Sequence, residues 1–107
     1  MSTVFPNTLR SGRAVIELAP TGAGSVTFRI ESAELLDAVR VTARPSTPVA
    51  EVKQRALLQF FPNDAPHEYV LKFRGWEVLD ENASLADVGI TDGSIILLAI
   101  RRRQAVR

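Results

Sequence analysis

Residues 84–100 constrain the fold of this chain more than any other stretch. Their first half carries a one-turn helix signal that ends at Gly89, and Asp92-Gly93 then favours a tight turn, since glycine tolerates a positive φ. Their second half, residues 95–100, is aliphatic on both faces and stops at three arginines. A strand with two apolar faces favours neighbouring strands on both sides and a helix over at least one face. We therefore expect the rest of the chain to supply those neighbours.

Composition excludes several classes of protein. The chain has 107 residues, 46% of them hydrophobic, and a net charge of +1, which is typical of one soluble domain and is not basic enough for a general nucleic-acid binder. It has no cysteine, which excludes disulfides, thiolate nucleophiles and cysteine metal sites. The start lacks the pattern of a secretory signal, and no apolar segment reaches the roughly 20 residues needed to cross a bilayer. We expect a cytoplasmic protein without membrane insertion.

A hairpin is predicted after a polar start. Residues 1–24 are typical of a flexible extension, in which residues 14–18 can add one edge strand or lie loose. Residues 26–31 and 39–44 then alternate between apolar and polar side chains. This alternation predicts two half-buried strands that are close enough in sequence to pair as an antiparallel hairpin.

A single long helix is predicted next. Thr47 is the expected N-cap, because Pro48 at the first helical position loses no hydrogen bond, and the helix ends by Phe61 because Pro62 disfavours helical geometry in the residue before it. The side chains expected to cover the sheet are Val49, Val52, Ala56, Leu57 and Phe60. The side chains expected to face water are Glu51, Lys53, Gln54 and Arg55.

A third strand and a short fourth strand follow the helix. Residues 69–74 alternate, Gly75 ends the strand, and residues 76–79 can form a short strand before a polar turn. Trp76 is either a lid on the core or an exposed anchor for a partner. The large area that a tryptophan buries favours the lid.

From about residue 26 to residue 103 the chain resembles ubiquitin and its bacterial relatives. The resemblance lies in the hairpin, in Pro45-Ser46 before the helix, in the stretch from Leu71 to Gly75, and in residues 84–90 with the basic end of the last strand. It implies an α+β ubiquitin-like β-grasp fold, a mixed four- to five-stranded sheet packed on one main helix. The last strand would pair in parallel with the first strand of the hairpin, in the centre of the sheet. The implied divisions are a flexible extension (1–24), the domain (25–103) and a tail (104–107).

The resemblance also implies which face of the sheet does biological work. The expected inward side chains of the sheet are Val26, Phe28, Ile30, Val39, Val41, Leu71, Phe73, Ile96, Leu98 and Ile100. In ubiquitin-like proteins the opposite, outer face is the usual protein-recognition surface. Here it is expected to carry an apolar stripe, Val70, Ile95, Leu97 and Ala99, within a cationic rim, Arg29, Arg40, Arg44, Lys72 and Arg74. Such a rim indicates a protein partner with acidic groups around an apolar spot. The alternative is that these are solvated arginines and tolerated exposed aliphatics.

The chain departs from ubiquitin at three places. Lys72 stands where ubiquitin has the isoleucine of its binding patch, and Trp76 stands where it has a chain-building lysine. The sequence ends in residues 104–107 without the diglycine that conjugated relatives carry. A modifier role would therefore require trimming of the tail, with activating or processing enzymes as partners. The tail arginines, Arg101, Arg102 and Arg103, have no interleaved aromatic residues, so they are weak evidence for nucleic acid and better suit a solubilising or partner-contacting end.

No catalytic constellation is evident. His67 is the single histidine and lies in a proline-flanked loop, and Asp80-Glu81 is a charged turn rather than an acid and base pair. We expect no enzymatic activity, no metal and no cofactor. The expected function is a ubiquitin-like adaptor or accessory subunit of a bacterial complex, similar to the small proteins found with type VII secretion systems. The alternative is a ubiquitin-like modifier, and residues 1–24 can drive self-association by adding an intermolecular strand.

Overall fold

The computed structural model describes residues 14–101. The strands are β1 Ala14–Glu17, β2 Val26–Ser32, β3 Asp37–Ala43, β4 Tyr69–Phe73, β5 Trp76–Glu77 and β6 Ile95–Ile100. The helices are α1 Val49–Phe60 and α2 Leu85–Val88, and a 3-10 turn occupies Pro66–Glu68. Over residues 14–101, none of the helices has the length and apolar character that a membrane span requires.

One mixed sheet of six strands organises the domain, in the order β1-β3-β2-β6-β4-β5. Strand β6 lies between two partners, pairing in parallel with β2 and antiparallel with β4. Its residue Ile96 stands opposite Ile30 on one side and Phe73 on the other. The predicted parallel pairing of the last strand with the first hairpin strand is confirmed.

Strand β1 lies at the edge of the sheet and pairs in parallel with β3. Of the two alternatives left open for residues 14–18, the structure shows the edge strand, and the sheet therefore has one strand more than the largest sheet expected. Ile16 of β1 is buried in the core, so the folded unit begins before residue 25. The rest of the expected extension, residues 1–13, lies outside the described residues.

The core lies between the inner face of the sheet and α1. Side chains from both layers form one buried cluster, and α1 contributes Val49, Val52, Ala56 and Leu57 as predicted. Two of the expected inward side chains, Val26 and Phe73, are only partly buried against this cluster. Ile100 was expected inward and is 49% exposed, because it is the last residue of β6 and its described sheet partner is Tyr69 alone. Leu85 and Ile90, from α2 and the residues after it, fill core positions that the periodicity did not assign.

The start of α1 is held by a loop rather than by a side-chain cap. The prediction that Thr47 is the N-cap is wrong, since the cap position is Pro48 and no side chain caps the helix. Instead, the carbonyl oxygens of Ala83 and Glu81 accept hydrogen bonds from the amides of Val49 and Ala50, at 2.9 and 2.7 Å. These tertiary bonds satisfy amide groups that a helix leaves free at its first turn.

Lys53 was expected to face water, and this expectation is wrong. Its side chain is 3% exposed, and its Nζ lies 2.9 Å from Oε2 of Glu81, which belongs to the same loop that holds the start of α1. The expectation rested on the charge of the side chain, because helical spacing from Val49 and Ala56 places position 53 on the buried side of α1. A buried ammonium group requires a charged partner, so the ion pair and the loop position depend on each other.

The short helix α2 follows the prediction for residues 84–89. Ser84 accepts a hydrogen bond from the Asp87 amide at 3.0 Å, and the Asp87 carboxylate accepts one from the Ser84 amide, which forms a capping box. Gly89 then ends the helix with a φ of 97°. Such a conformation is unstrained only for glycine, so the predicted one-turn helix and its stop are confirmed.

The Lys53–Glu81 pair gives the first testable prediction. Glu81→Ala leaves a buried ammonium without its partner, so we expect the free energy of unfolding to fall by about 2 to 3 kcal/mol. Lys53→Met removes the charge itself and keeps the volume, and a Lys53→Met/Glu81→Ala double variant should therefore recover most of the loss. Urea unfolding curves at unchanged m value measure both effects.

Lys72→Met is the matched control, because Lys72 is the chain's other lysine and is exposed. It should change the free energy of unfolding by less than about 0.5 kcal/mol. If Glu81→Ala unfolds at the wild-type urea concentration, the ion pair does not stabilise the fold.

Candidate functional site

The outer face of the sheet, away from α1, presents a row of four side chains across four strands. The strand register places Val15 beside Arg40, Arg40 beside Arg29, and Arg29 beside Ile95. We call these four residues the outer row. Its two apolar ends are well exposed, Val15 by 49% and Ile95 by 52%. The row exists because the neighbours of these residues in each strand, such as Phe28 and Ile96, point into the core.

The centre of the outer row holds two like charges. Arg29 and Arg40 stand directly opposite each other on an antiparallel pair, an arrangement that destabilises a sheet. The Arg29 guanidinium is partly neutralised by Glu31, whose Oε2 lies 2.7 Å from its Nη2. Within residues 14–101, Arg40 makes no ion pair, so its charge is directed at solvent between two exposed aliphatic side chains.

A second row lies next to the first and carries charges of both signs. Glu31 stands beside Leu97, Leu97 beside Lys72, and Lys72 beside Glu77. The expected cationic rim is therefore mixed in charge on this side. Glu31 and Glu77 are the residues that sequence reasoning missed. The alternation of Arg29 with Glu31 along one strand could have revealed the first of them.

Two residues expected on this surface do not contribute to it. Val70 faces outward by register, opposite Ala99, but is only 4% exposed, so its place in an exposed apolar stripe was wrong. Arg74 was expected in the rim, but its guanidinium carbon lies 5.1 Å from the ring centre of Phe73, a side chain that packs against the core. A cation over an aromatic face is attracted to it, which explains why Arg74 turns away from the outer face. Leu97 and Ala99 are half-buried, while Lys72 is exposed.

Trp76 is 79% exposed, so the expected lid on the core was wrong. The reason is local: β5 has two residues, and the turn before it contains Arg74 and Gly75 at φ values of 58° and 83°. This tight turn places Trp76 opposite Phe73 at the rim of the sheet, beyond the cover of α1. Leu79, three residues after Trp76 in the sequence, is also exposed, by 82%.

The first arginine after β6, Arg101, contacts the domain. Arg101 donates from its amide to the Glu68 carbonyl and from its Nε to the His67 carbonyl, at 2.7 and 2.9 Å. Its Nη1 lies 3.4 Å from Oε2 of Glu77. The other two tail arginines, Arg102 and Arg103, lie outside the described residues.

A surface depression lined mainly by polar residues lies beside this contact. It is lined by Glu34, Asp64, His67, Glu68, Tyr69, Ile100 and Arg101. Tyr69 lies in this lining, is 2% exposed and donates a hydrogen bond from its hydroxyl to Oδ2 of Asp64 at 2.6 Å. In residues 14–101, no three His, Asp or Glu side chains are grouped closely enough to hold a metal ion.

Comparison with known proteins identifies the fold. No protein-family model matches the sequence, and no curated protein sequence matches it. Among solved structures, a designed protein based on ubiquitin has a TM-score of 0.64 and 22% identity, over 80% of this chain and 100% of its own. The ubiquitin of Caldiarchaeum subterraneum has a TM-score of 0.62 and 19% identity, over 77% of this chain and 100% of its own. The ubiquitin-like domain of an Arabidopsis thaliana protein has a TM-score of 0.64 and 16% identity, over 83% of this chain and 90% of its own.

These likenesses define the class of fold. All three structures are ubiquitin or are ubiquitin-like, and each covers more than three quarters of this chain. The chain has the ubiquitin-like β-grasp fold, with a mixed six-stranded sheet against α1. The expected fold class is confirmed. At such low identity the likeness concerns the fold, and the function must be argued from the surface.

Tyr69 provides a pH prediction. Burial raises the pKa of the Tyr69 phenol above its ordinary value of 10.0, and the hydrogen bond to Asp64 and the nearby carboxylates raise it further. Because the phenol is harder to ionise when folded, its contribution to stability is complete below about pH 10 and declines as the pH rises beyond it. Tyr69 is the chain's single tyrosine, so ultraviolet difference titration reports it alone.

We expect less phenolate signal from the folded protein at pH 10 than from the unfolded chain, and Asp64→Asn should shift the titration to lower pH while leaving it above that of the unfolded chain. A folded protein whose Tyr69 titrates like free tyrosine would contradict the buried hydrogen bond.

Proposed function

We propose that this chain is a non-catalytic ubiquitin-like protein that acts by binding another protein through the outer face of its sheet. It serves as an adaptor or accessory subunit of a bacterial complex in the cytoplasm, of the kind found with type VII secretion systems. The observation that carries the proposal is the outer row, in which two exposed aliphatic side chains flank two arginines.

The outer row is costly for a protein that works alone. Arg29 and Arg40 repel each other across the strands, and Val15 and Ile95 expose apolar area to water. A partner that supplies a carboxylate to Arg40 and an apolar contact to Ile95 offsets both costs at once. Charges arranged in this way also select partners and speed their encounter.

The partner's chemistry follows from the composition of the face. It carries an apolar side chain that seats against Ile95 and Leu97, with acidic groups placed to meet Arg40 and Lys72. Because Lys72 replaces the isoleucine of ubiquitin's binding patch, proteins that recognise ubiquitin through that isoleucine are not the partners proposed. Mixed charges at Glu31 and Glu77 limit where the partner's acids can lie, which fixes the register of the complex.

A ubiquitin-like modifier is the alternative function, supported by the likeness of the fold to ubiquitin. It requires that activating or processing enzymes trim the tail and join the chain to targets. Intact-mass analysis of the protein from its native host separates the two functions. The adaptor keeps its tail through Arg107 and carries no covalent adduct, whereas a trimmed tail or covalent adducts with other proteins would establish the modifier.

The binding face is tested with two matched substitutions. Ile95→Asp places a charge in the outer row, and we expect it to abolish recovery of partner proteins from the native host, measured by quantitative mass spectrometry of the purified complexes. Leu58→Asp is the control, because Leu58 is a 63% exposed aliphatic residue on α1, on the other side of the sheet. Both variants should melt close to the wild-type temperature, since both side chains already contact water.

If Ile95→Asp recovers the same proteins as the wild type, the outer face is not the binding surface. Loss of partners in Leu58→Asp alone would place the binding surface on α1.

A further inference from the structure

A second exposed apolar surface lies at the other edge of the sheet. Trp76 and Leu79 line a groove with Phe73 and Val88, and its volume is about 420 Å³. We call it the edge groove. Its two outermost side chains are the tryptophan and the leucine, 79% and 82% exposed. Tryptophan is one of the residues enriched among those that dominate binding energy in protein interfaces.

Acidic groups surround the edge groove. Asp80 and Asp87 line it, and within residues 14–101 neither forms an ion pair. Glu77 also lines it and lies 3.4 Å from Arg101, while the groove's own cation, Arg74, is held over the Phe73 ring. The groove is therefore an apolar spot with an acidic rim, which is the surface that the outer row requires of its partner.

We infer that the protein bound by the outer row is a second copy of this chain, which presents its edge groove. Ile95 of one copy packs against Trp76 and Leu79 of the next. Arg40 of the first copy pairs with Asp80 of the second. This inference rests on the proposed function, because it names the partner of the same outer row.

The geometry favours contact between copies over contact within one copy. The outer row faces away from α1, whereas the edge groove is lined by Phe73, Val88 and Gly89 on the α2 side of the sheet, so one copy cannot fill its own groove. A two-fold dimer that joined row to row would bring the arginines of the two rows together, and one that joined groove to groove would bring carboxylates together. Row-to-groove contact is left. It closes at two copies where each row meets the other copy's groove, and otherwise it extends into larger rings or open chains of copies.

Sedimentation velocity of the full chain across a range of concentrations tests the inference. The wild type should form dimers or larger species as concentration rises, and added salt should weaken them because the paired charges are exposed. Ile95→Asp and Trp76→Ser each destroy one surface, and each alone should bind its own copies at least about 30-fold more weakly. Both side chains are exposed, and unchanged melting temperatures verify that both variants fold.

Mixing the variants identifies the surfaces. Ile95→Asp keeps its groove and Trp76→Ser keeps its row, so an equimolar mixture should form a dimer that stops at two copies. A mixture of Trp76→Ser with Leu79→Ser has two rows and no groove, and should remain monomeric. Charge reversal gives an independent check: Arg40→Glu and Asp80→Arg each weaken association and the double variant Arg40→Glu/Asp80→Arg restores it, whereas Arg55→Glu, an exposed reversal on α1, leaves association unchanged.

A wild type that stays monomeric at every concentration overturns the inference, as does self-association in which the two complementary variants fail to pair. The proposed function fails separately. If Ile95→Asp loses its partners in the native host while the purified wild type is monomeric, the outer face binds a different protein and only the inference is wrong. If Ile95→Asp changes neither host partners nor self-association, both are wrong.

Discussion

The burial of β6 between β2 and β4 is the constraint on which the rest of the structure depends. Ile96 and Leu98 are almost completely buried on its inner face, and both strands adjacent to β6 hold it in register. Because side chains alternate along a strand, fixing these two residues inward also fixes Ile95, Leu97 and Ala99 outward. The core and the candidate binding face are therefore set by one strand and cannot be changed independently.

Most of the fold could be predicted because the strands and α1 carry strong periodic patterns, and α2 carries a recognisable stop at Gly89. The failures arise where tertiary contacts override a local pattern. Lys53 was expected to face water because of its charge, yet Glu81 of a distant loop supplies a counter-charge, and the side chain occupies the buried face that its helical spacing shares with Val49 and Ala56. The same loop replaces the predicted cap of α1, and a cap that comes from more than thirty residues away in the sequence leaves no local signal. Ile100 follows the alternation of β6, but the strand ends before the core can cover it.

The candidate site was predicted only in part. Alternation correctly placed Arg29, Arg40 and Ile95 on the outer side of their strands, but only the register of the sheet reveals that they form one row with Val15. Val70 and Arg74 were both misplaced. Val70 faces outward but is buried, and the Arg74 guanidinium lies over the Phe73 ring. The alternation of side chains along a strand predicts neither contact. Trp76 was expected to be buried from its size alone, although a two-residue strand at the rim of a sheet cannot cover it.

Strand β6 has a packing face and an exposed face, and the two adjacent residues Ile95 and Ile96 report on them separately. The measurement is the free energy of unfolding of Ile95→Ala and Ile96→Ala, from urea curves under the same conditions. We expect a loss of about 2 to 5 kcal/mol for Ile96→Ala, since it opens a cavity in the core. We expect a loss of less than about 1 kcal/mol for Ile95→Ala, since that side chain is 52% exposed. Equal losses, or a larger loss for Ile95→Ala, would contradict the separation of a packing face from a binding face.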